Sequence, residues 1–400
     1  MTTTTTTTTT ITTFFAGAAA ALAAGAALFY TFGSTPTIPL CQETSPDPTT
    51  PQEWLMLATQ RMKKVFGSTP TIPLCQETSP DPTTPQEWLM LATQRMKKVL
   101  PPIQSNFRVY AILTWKDSTN NMTGWVSGTN SESSFIGGSL CAERAAAVQL
   151  RELPASIQVT AVYLCSDLLE IPITPGVLCR EYLLSCVSPD IPVWMATADL
   201  STIRSSTLRA LYPYPNMYEN IKRDKLEHFG RQCCATTTAV RASDHFPSLD
   251  VPSKNKWLQL MALAQKASSK DVLGGKMHPC LYGAAIEFDD GSIRVSWQKA
   301  GLEYGTTVDS VTSLLRDIDN NNNSSNNHNN KKREAIKPIK LVQVDQFQNL
   351  IAPFAPARAQ LYERGYDCLQ VAVMEVPSGI RKVVTVASLV PDCPKMSEIW

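Results

Sequence analysis

Along residues 88–219 the apolar positions switch repeatedly between a helical and an extended period. Behind Pro85, the residues Trp88, Leu89, Leu91, Ala92 and Met96 mark one face of a helix. Asn106–Lys116 then alternates as a strand, and Thr123–Gly128 reads as its hairpin partner. Ser139–Leu153 has the pattern of a helix, Gln158–Cys165 that of a β-branched strand, Thr174–Val187 a second helix, and Ile191–Ala198 another strand. Alternation of this kind predicts an α/β fold, an α-β-α sandwich whose mixed sheet is flanked by helices.

The pattern then restarts. Residues 220–252 are polar and read as a linker. Beyond them Trp257-Leu258-Gln259-Leu260 echoes Trp88-Leu89-Met90-Leu91, and Tyr282–Phe288 echoes Tyr110–Trp115, with a hairpin turn at Asp289-Asp290-Gly291-Ser292. Gly301–Gly305 precedes a helical stretch, at the place of Ser139. Ala387–Pro391 mirrors Leu208–Pro213. Two tandem modules are expected, at 85–219 and 253–400. Asn320–Asn330 reads as a low-complexity surface insert in the second.

The first 84 residues stand apart. Residues 1–42 carry no charge. Thr2–Thr10 is a homopolymer, and the Ala-rich run Phe14–Phe32 approaches the length needed to cross a bilayer. Residues 1–32 thus read as a targeting or anchor segment, although no positive n-region precedes the apolar run. Residues 33–84 read as a Pro/Thr-rich linker with an exact duplication. The 33 residues Gly33–Val65 recur unchanged at Gly67–Val99. The offset of 34 residues matches a tetratricopeptide period. Half of each copy is linker, however, and a solenoid needs about three repeats. The second copy runs into the first module and is taken as the structural one.

Composition narrows the function. The 400 residues include 36 Lys+Arg and 35 Asp+Glu, a formal net charge of +1, which argues against a nucleic-acid binder. Eleven scattered cysteines suit free thiols in a reducing compartment rather than a disulfide scaffold. Four histidines leave little material for a His-based metal site. The expected location is cytoplasmic, with organelle targeting or membrane anchoring if residues 14–32 act.

The informative string is Cys141-Ala142-Glu143-Arg144. A Cys at a helix N-terminus meets the positive end of the macrodipole, which favours thiolate, a zinc ligand. Glu143 can face the same cavity without binding metal. Pro175-Gly176-Val177-Leu178-Cys179-Arg180 places another Cys just inside a second helix. Two such helix tips meeting at one sheet edge is the arrangement of zinc deaminases.

Here the chain resembles the cytidine deaminase family. Gly128, Asn130 and Glu132 match a G-x-N-x-E segment, Cys141-Ala142-Glu143 matches [HC]-A-E, and Ser105–Val109 resembles the entry to the first strand. The resemblance covers residues 88–219 well and 257–395 weakly. It implies a Zn2+ site with Cys141 and Cys179 as ligands and Glu143 as proton shuttle. It also implies Asn130 and Glu132 on the ribose hydroxyls, Phe107 against the pyrimidine, Ala142 in the substrate pocket, and Arg144 balancing thiolate charge. The substrate would be a free pyrimidine nucleoside, deaminated hydrolytically, and the assembly a homodimer, with no nucleic-acid partner.

Departures from the family pattern matter as much. The family's second motif has two cysteines, whereas Gly176 stands where one should be. Catalytic zinc normally has three protein ligands. Cys165 is a candidate third ligand, as is a residue of the second module or another subunit. Tyr110 replaces a small residue and is expected to narrow the pocket. The second module has Asp309-Ser310-Val311 where Cys-Ala-Glu should stand, and no cysteine in Ala357–Tyr362. Its expected role is structural. The alternative to an enzyme is a non-catalytic member of the fold that binds or scaffolds.

Overall fold

The computed structural model describes residues 82–301, 303–316 and 336–394. The targeting or anchor segment, the first copy of the duplication and the Asn-rich insert lie outside the described residues. Among the described residues no helix is long and apolar enough to cross a membrane.

Helix α1 (Pro85–Lys98) opens on a capping box between Thr84 and Glu87, with Pro85 at its first position. Leu89, Ala92 and Met96 are fully buried, and Trp88 stacks on Tyr163 at 5.7 Å. The following strands are β1 (Val109–Asp117), β2 (Thr123–Thr129), β3 (Ile157–Ser166), β4 (Pro192–Ala196) and β5 (Ile203–Thr207). They form one sheet in the order β2-β1-β3-β4-β5, with β3 and β4 parallel and the other pairs antiparallel. Between them lie α2 (Ala142–Gln149) and α3 (Val177–Leu184). Both helices are shorter than the sequence pattern suggested. Cys141 and Gly176 are their N-caps, so the preceding residues are extended.

Strand β1 is buried on both faces. Its alternation therefore sorts side chains between two cores, not between core and solvent. Ala111, Leu113 and Trp115 join the cluster under α2 and α3, whereas Tyr110 and Ile112 join the one under α1. The strand β5 was not anticipated. Its sequence Ile203–Thr207 is mostly polar because it forms a sheet edge.

Residues 220–252 are more ordered than a linker. They contain α4 (Leu226–Ala239), with Leu226, Gly230 and Thr237 buried. The face is narrow and made partly of Gly and Thr, so hydrophobic periodicity does not reveal it. A Cβ on Gly230 would meet Tyr218 Oη and the Phe347 ring at 2.4–2.6 Å, which is why the helix comes so close there.

The second half continues with α5 (Val251–Ser268), β6 (Tyr282–Phe288), β7 (Ile293–Trp297), a helix beginning at Ser310, β8 (Pro338–Asp345), α6 (Ala355–Glu363), β9 (Gln370–Met374) and β10 (Arg381–Thr385). The second sheet has the order β10-β9-β8-β6-β7, again with one parallel pair, β8 and β9. Read from β7, this is the topology of the first sheet. The ladders correct the sequence correspondence by one residue. Tyr110 pairs with Thr129 and Gly283 with Trp297, while Asn130 N–H bonds Val109 O and Gln298 N–H bonds Tyr282 O. Gly283, not Tyr282, thus stands at the place of Tyr110, and a one-residue slip would have turned every side chain to the other face.

The modules meet through their helical layers. Ala355 and Val390 belong to the core of the first module, and Tyr362 packs against the core clusters of both. Two buried arginines mirror each other across the contact. Arg180 donates to Pro175 O (2.7 Å), Leu211 O (2.6 Å) and, across the contact, Pro391 O (2.8 Å). Arg358 donates to Pro353 O (2.6 Å) and, in the other direction, to Pro213 O (2.7 Å) and Tyr214 O (2.6 Å).

Candidate metal centre and cavity

The site begins with a short bridge. Ser131 and Leu140 exchange backbone hydrogen bonds of 2.8 and 2.9 Å, which deliver the chain to Cys141 at the mouth of α2. Cys141 has extended backbone (φ −73°, ψ 156°) and makes no side-chain cap bond to the helix. Its sulfur is left facing inward at the positive helix end. Glu143 follows in the first turn and is 3% exposed. From the neighbouring helix, Cys179 sits in the first turn of α3 and is fully buried. One ligand atom each from Cys141, Glu143 and Cys179 lie within 4.8 Å of one another.

Their protonation is mutual. Cys141 is lowered to about 6 by the hydrogen bond from Cys179 and by the Arg144 guanidinium, against the effect of burial. Cys179 is pushed well up by the same contact and by burial. The contact thus favours the thiolate at Cys141 and the thiol at Cys179. Glu143 is raised to about 7, first by burial and then by the Cys141 charge. Arg144 donates to Ser139 O at 3.0 Å and reaches Cys141 Sγ at 3.5 Å, so it lies beside that sulfur.

Cys141 and Glu143 stand at the wall of a cavity of about 350 Å³, with Cys179 buried behind it. Phe107, Asn130, Glu132 and Ala142 line it with them. Asn130 accepts from Val109 N at 2.8 Å and donates to Phe107 O at 2.8 Å, clamping the start of β1. Glu132 accepts from Ser105 N at 2.9 Å and from its hydroxyl at 2.5 Å. In this state both polar groups hold the 105–109 segment. Among the described residues, no Lys or Arg lines the cavity.

Two sequence expectations fail here for one reason. Cys165 is fully buried on the α1 side of the sheet, with Met96 Sδ and Tyr110 O as its neighbours at 3.8 Å. Burial raises its thiol to about 12. It cannot turn to the face of the sheet that α2 and α3 cover, because successive strand residues point to opposite faces. Tyr110 pairs with Cys165 and shares that face, its hydroxyl bonded to Ser127 Oγ at 2.9 Å. It does not narrow the cavity.

Other lining residues were not singled out from sequence. Ala359, Tyr362 and Glu363 come from α6, and Cys393 and Pro394 from the chain after β10. No local signal marks them, since only the contact between modules brings them there. At the corresponding place in the second module, Val308 bridges Lys299 as Leu140 bridges Ser131, and Asp309 follows. Its carboxylate caps Val311 N and Thr312 N at 2.9 Å. The Arg358–Pro353 bond repeats the Arg180–Pro175 bond, which sets Ala357 opposite Cys179 and Phe354 opposite Gly176. The second module has no sulfur at these positions.

No protein-family model matches the sequence, and no curated protein matches it. Among solved structures, the chain is similar to cytidine deaminase from Burkholderia pseudomallei at 23% identity and a TM-score of 0.29, over 33% of this chain and 99% of that one. It is also similar to the cytidine deaminases of Mycobacterium leprae and Mycobacterium tuberculosis, each at 19% identity and a TM-score of 0.27. These cover 34% of this chain and 97% and 95% of theirs.

Proposed function

We infer that this chain is a zinc-dependent hydrolytic deaminase of an uncharged pyrimidine nucleoside, cytidine or deoxycytidine. One observation carries the reading: two sulfur-bearing helix tips and a buried carboxylic acid converge within 4.8 Å, with Cys141 and Glu143 at a cavity wall. The donor set fits the metal. Paired thiolates are soft ligands that select zinc over harder ions. Cys141 and Cys179 would hold it. When bound, zinc supplies Lewis-acid polarisation that makes water nucleophilic near neutral pH.

Glu143 does the proton work. Its carboxylate oxygen takes a proton from the attacking water and passes it to ring N3. It then takes the proton of the hydroxyl added at C4 and gives it to the departing amino nitrogen. The C4–N bond breaks, and water plus cytidine become uridine plus ammonia. Burial suits the task by raising the carboxyl to about 7, where it both accepts and donates. Phe107 offers an aromatic surface to the base. Asn130 and Glu132 would take ribose hydroxyls by exchanging their present bonds to the 105–109 segment, and Glu132 together with Glu363 at the cavity wall disfavours a phosphate.

A second reading, a non-catalytic binding or scaffolding protein, is favoured by Gly176, which brings no donor where a third protein ligand belongs. Metal content and ammonia release from cytidine separate the two. The enzyme reading expects about one zinc per chain, lost in the Cys141→Ser/Cys179→Ser double variant. It also expects Glu143→Gln to retain the metal while ammonia release falls by about 10²–10⁴-fold. A chain that takes up no zinc and releases no ammonia leaves the second reading standing.

A further inference from the structure

Resting on the zinc reading above, we propose that Cys393, carried by the second module, is the third sulfur ligand of the first module's metal, entering the place that Gly176 leaves without a donor.

Four observations meet at this point. The segment carrying Cys393 is tied to the mouth of α3. Arg180 donates to Pro391 O at 2.8 Å and to Thr174 Oγ1 at 2.6 Å, and Thr174 donates in turn to Asp392 O at 2.8 Å. Cys393 is therefore held beside the turn that ends at Gly176. It lines the same cavity as Cys141, Glu143 and Gly176 and is only partly buried. Space is open next to Cys179: a Cβ built on Gly176 meets nothing within 4 Å except the Cys179 sulfur, at 3.9 Å. Finally, the chemistry matches, since a third thiolate completes a Cys₃ set that zinc accepts.

Cys393 is not one of the three donors already within 4.8 Å of one another. Its sulfur now lies 3.7 Å from Pro394 O and would turn toward Cys141 and Cys179 to ligate. The ligand set would then be built from both modules. The second module would be a structural requirement of the metal site, not only a cover for apolar surface.

Cobalt titration of the full chain tests this, because thiolate-to-cobalt charge-transfer absorption counts sulfur ligands. Cys393→Ser is expected to lower that absorption by about one third and to weaken zinc binding, measured by chelator competition, by at least about tenfold. Adding Gly176→Cys to the Cys393→Ser chain is expected to restore the three-sulfur absorption, which a merely misfolded variant would not do. Equal absorption and affinity in wild type and Cys393→Ser would overturn the proposal while leaving the zinc reading intact. A wild-type chain that binds neither metal would overturn both.

Discussion

Gly176 concentrates the chemistry of the site in one missing side chain. Its φ of −58° suits any L residue, so glycine is not required there by backbone geometry. Gly176→Cys should fold normally and place a sulfur beside Cys179. In the Cys393→Ser chain, Gly176→Cys is expected to raise zinc affinity at least about tenfold, measured by chelator competition; unchanged affinity there would tell against a metal held at Cys141 and Cys179. A second residue-scale consequence lies far from the site. Asp345 is fully buried, accepts from Tyr218 Oη and Asn349 Nδ2, and is held above the usual carboxylate range by burial. The folded chain thus keeps a proton that the unfolded chain has released. This group's contribution to stability is full below the free-carboxylate value and is lost as pH rises through the folded value. Asp345→Asn is expected to flatten that fall, read as a urea midpoint that declines less steeply with pH across this window.

Helices and strands place the residues by simple rules, and the duplicated segment offers an internal control. Leu89 is fully buried on α1, and Leu55 is its counterpart in the identical first copy. Leu89→Ala is expected to cost about 2–5 kcal/mol of stability, whereas Leu55→Ala should leave the unfolding midpoint unchanged. Equal effects would reject the second copy as the structural one. The elements also mark how far sequence reading reached. That Cys141 and Cys179 lie at helix starts was legible, because a change of period and a proline turn are local signals, although both helices begin three residues later than the pattern suggested. The exclusion of Cys165 was not. Strand alternation separates Cys165 from Leu164, but the Ala161–Ser166 half of β3 is buried on both faces, so nothing local says which face holds the site. Helix α4 escaped for a related reason, since its buried side relies on Gly230 and Thr237 rather than on large apolar residues.

At the scale of the molecule, the two modules belong to one compact unit, Pro80–Trp400. Ala355 and Val390 are buried in the first module's core, and Arg180 and Arg358 each satisfy backbone carbonyls of the other module. Ending the chain after residue 219 would uncover that core and leave Arg180 without its Pro391 partner. The truncated chain is expected to self-associate, as sedimentation would show; a stable monomer would mean that the contact is dispensable. Sequence alone determined the helix–strand alternation, the module repeat and the Cys-x-Glu helix tip, because these follow from local periodicity and capping. Only the tertiary structure decided which sulfurs converge, which face of the sheet they share and that Tyr362, Glu363 and Cys393 reach the cavity. Those outcomes depend on packing between segments some 200 residues apart, such as Thr174 and Asp392, and no local signal encodes that.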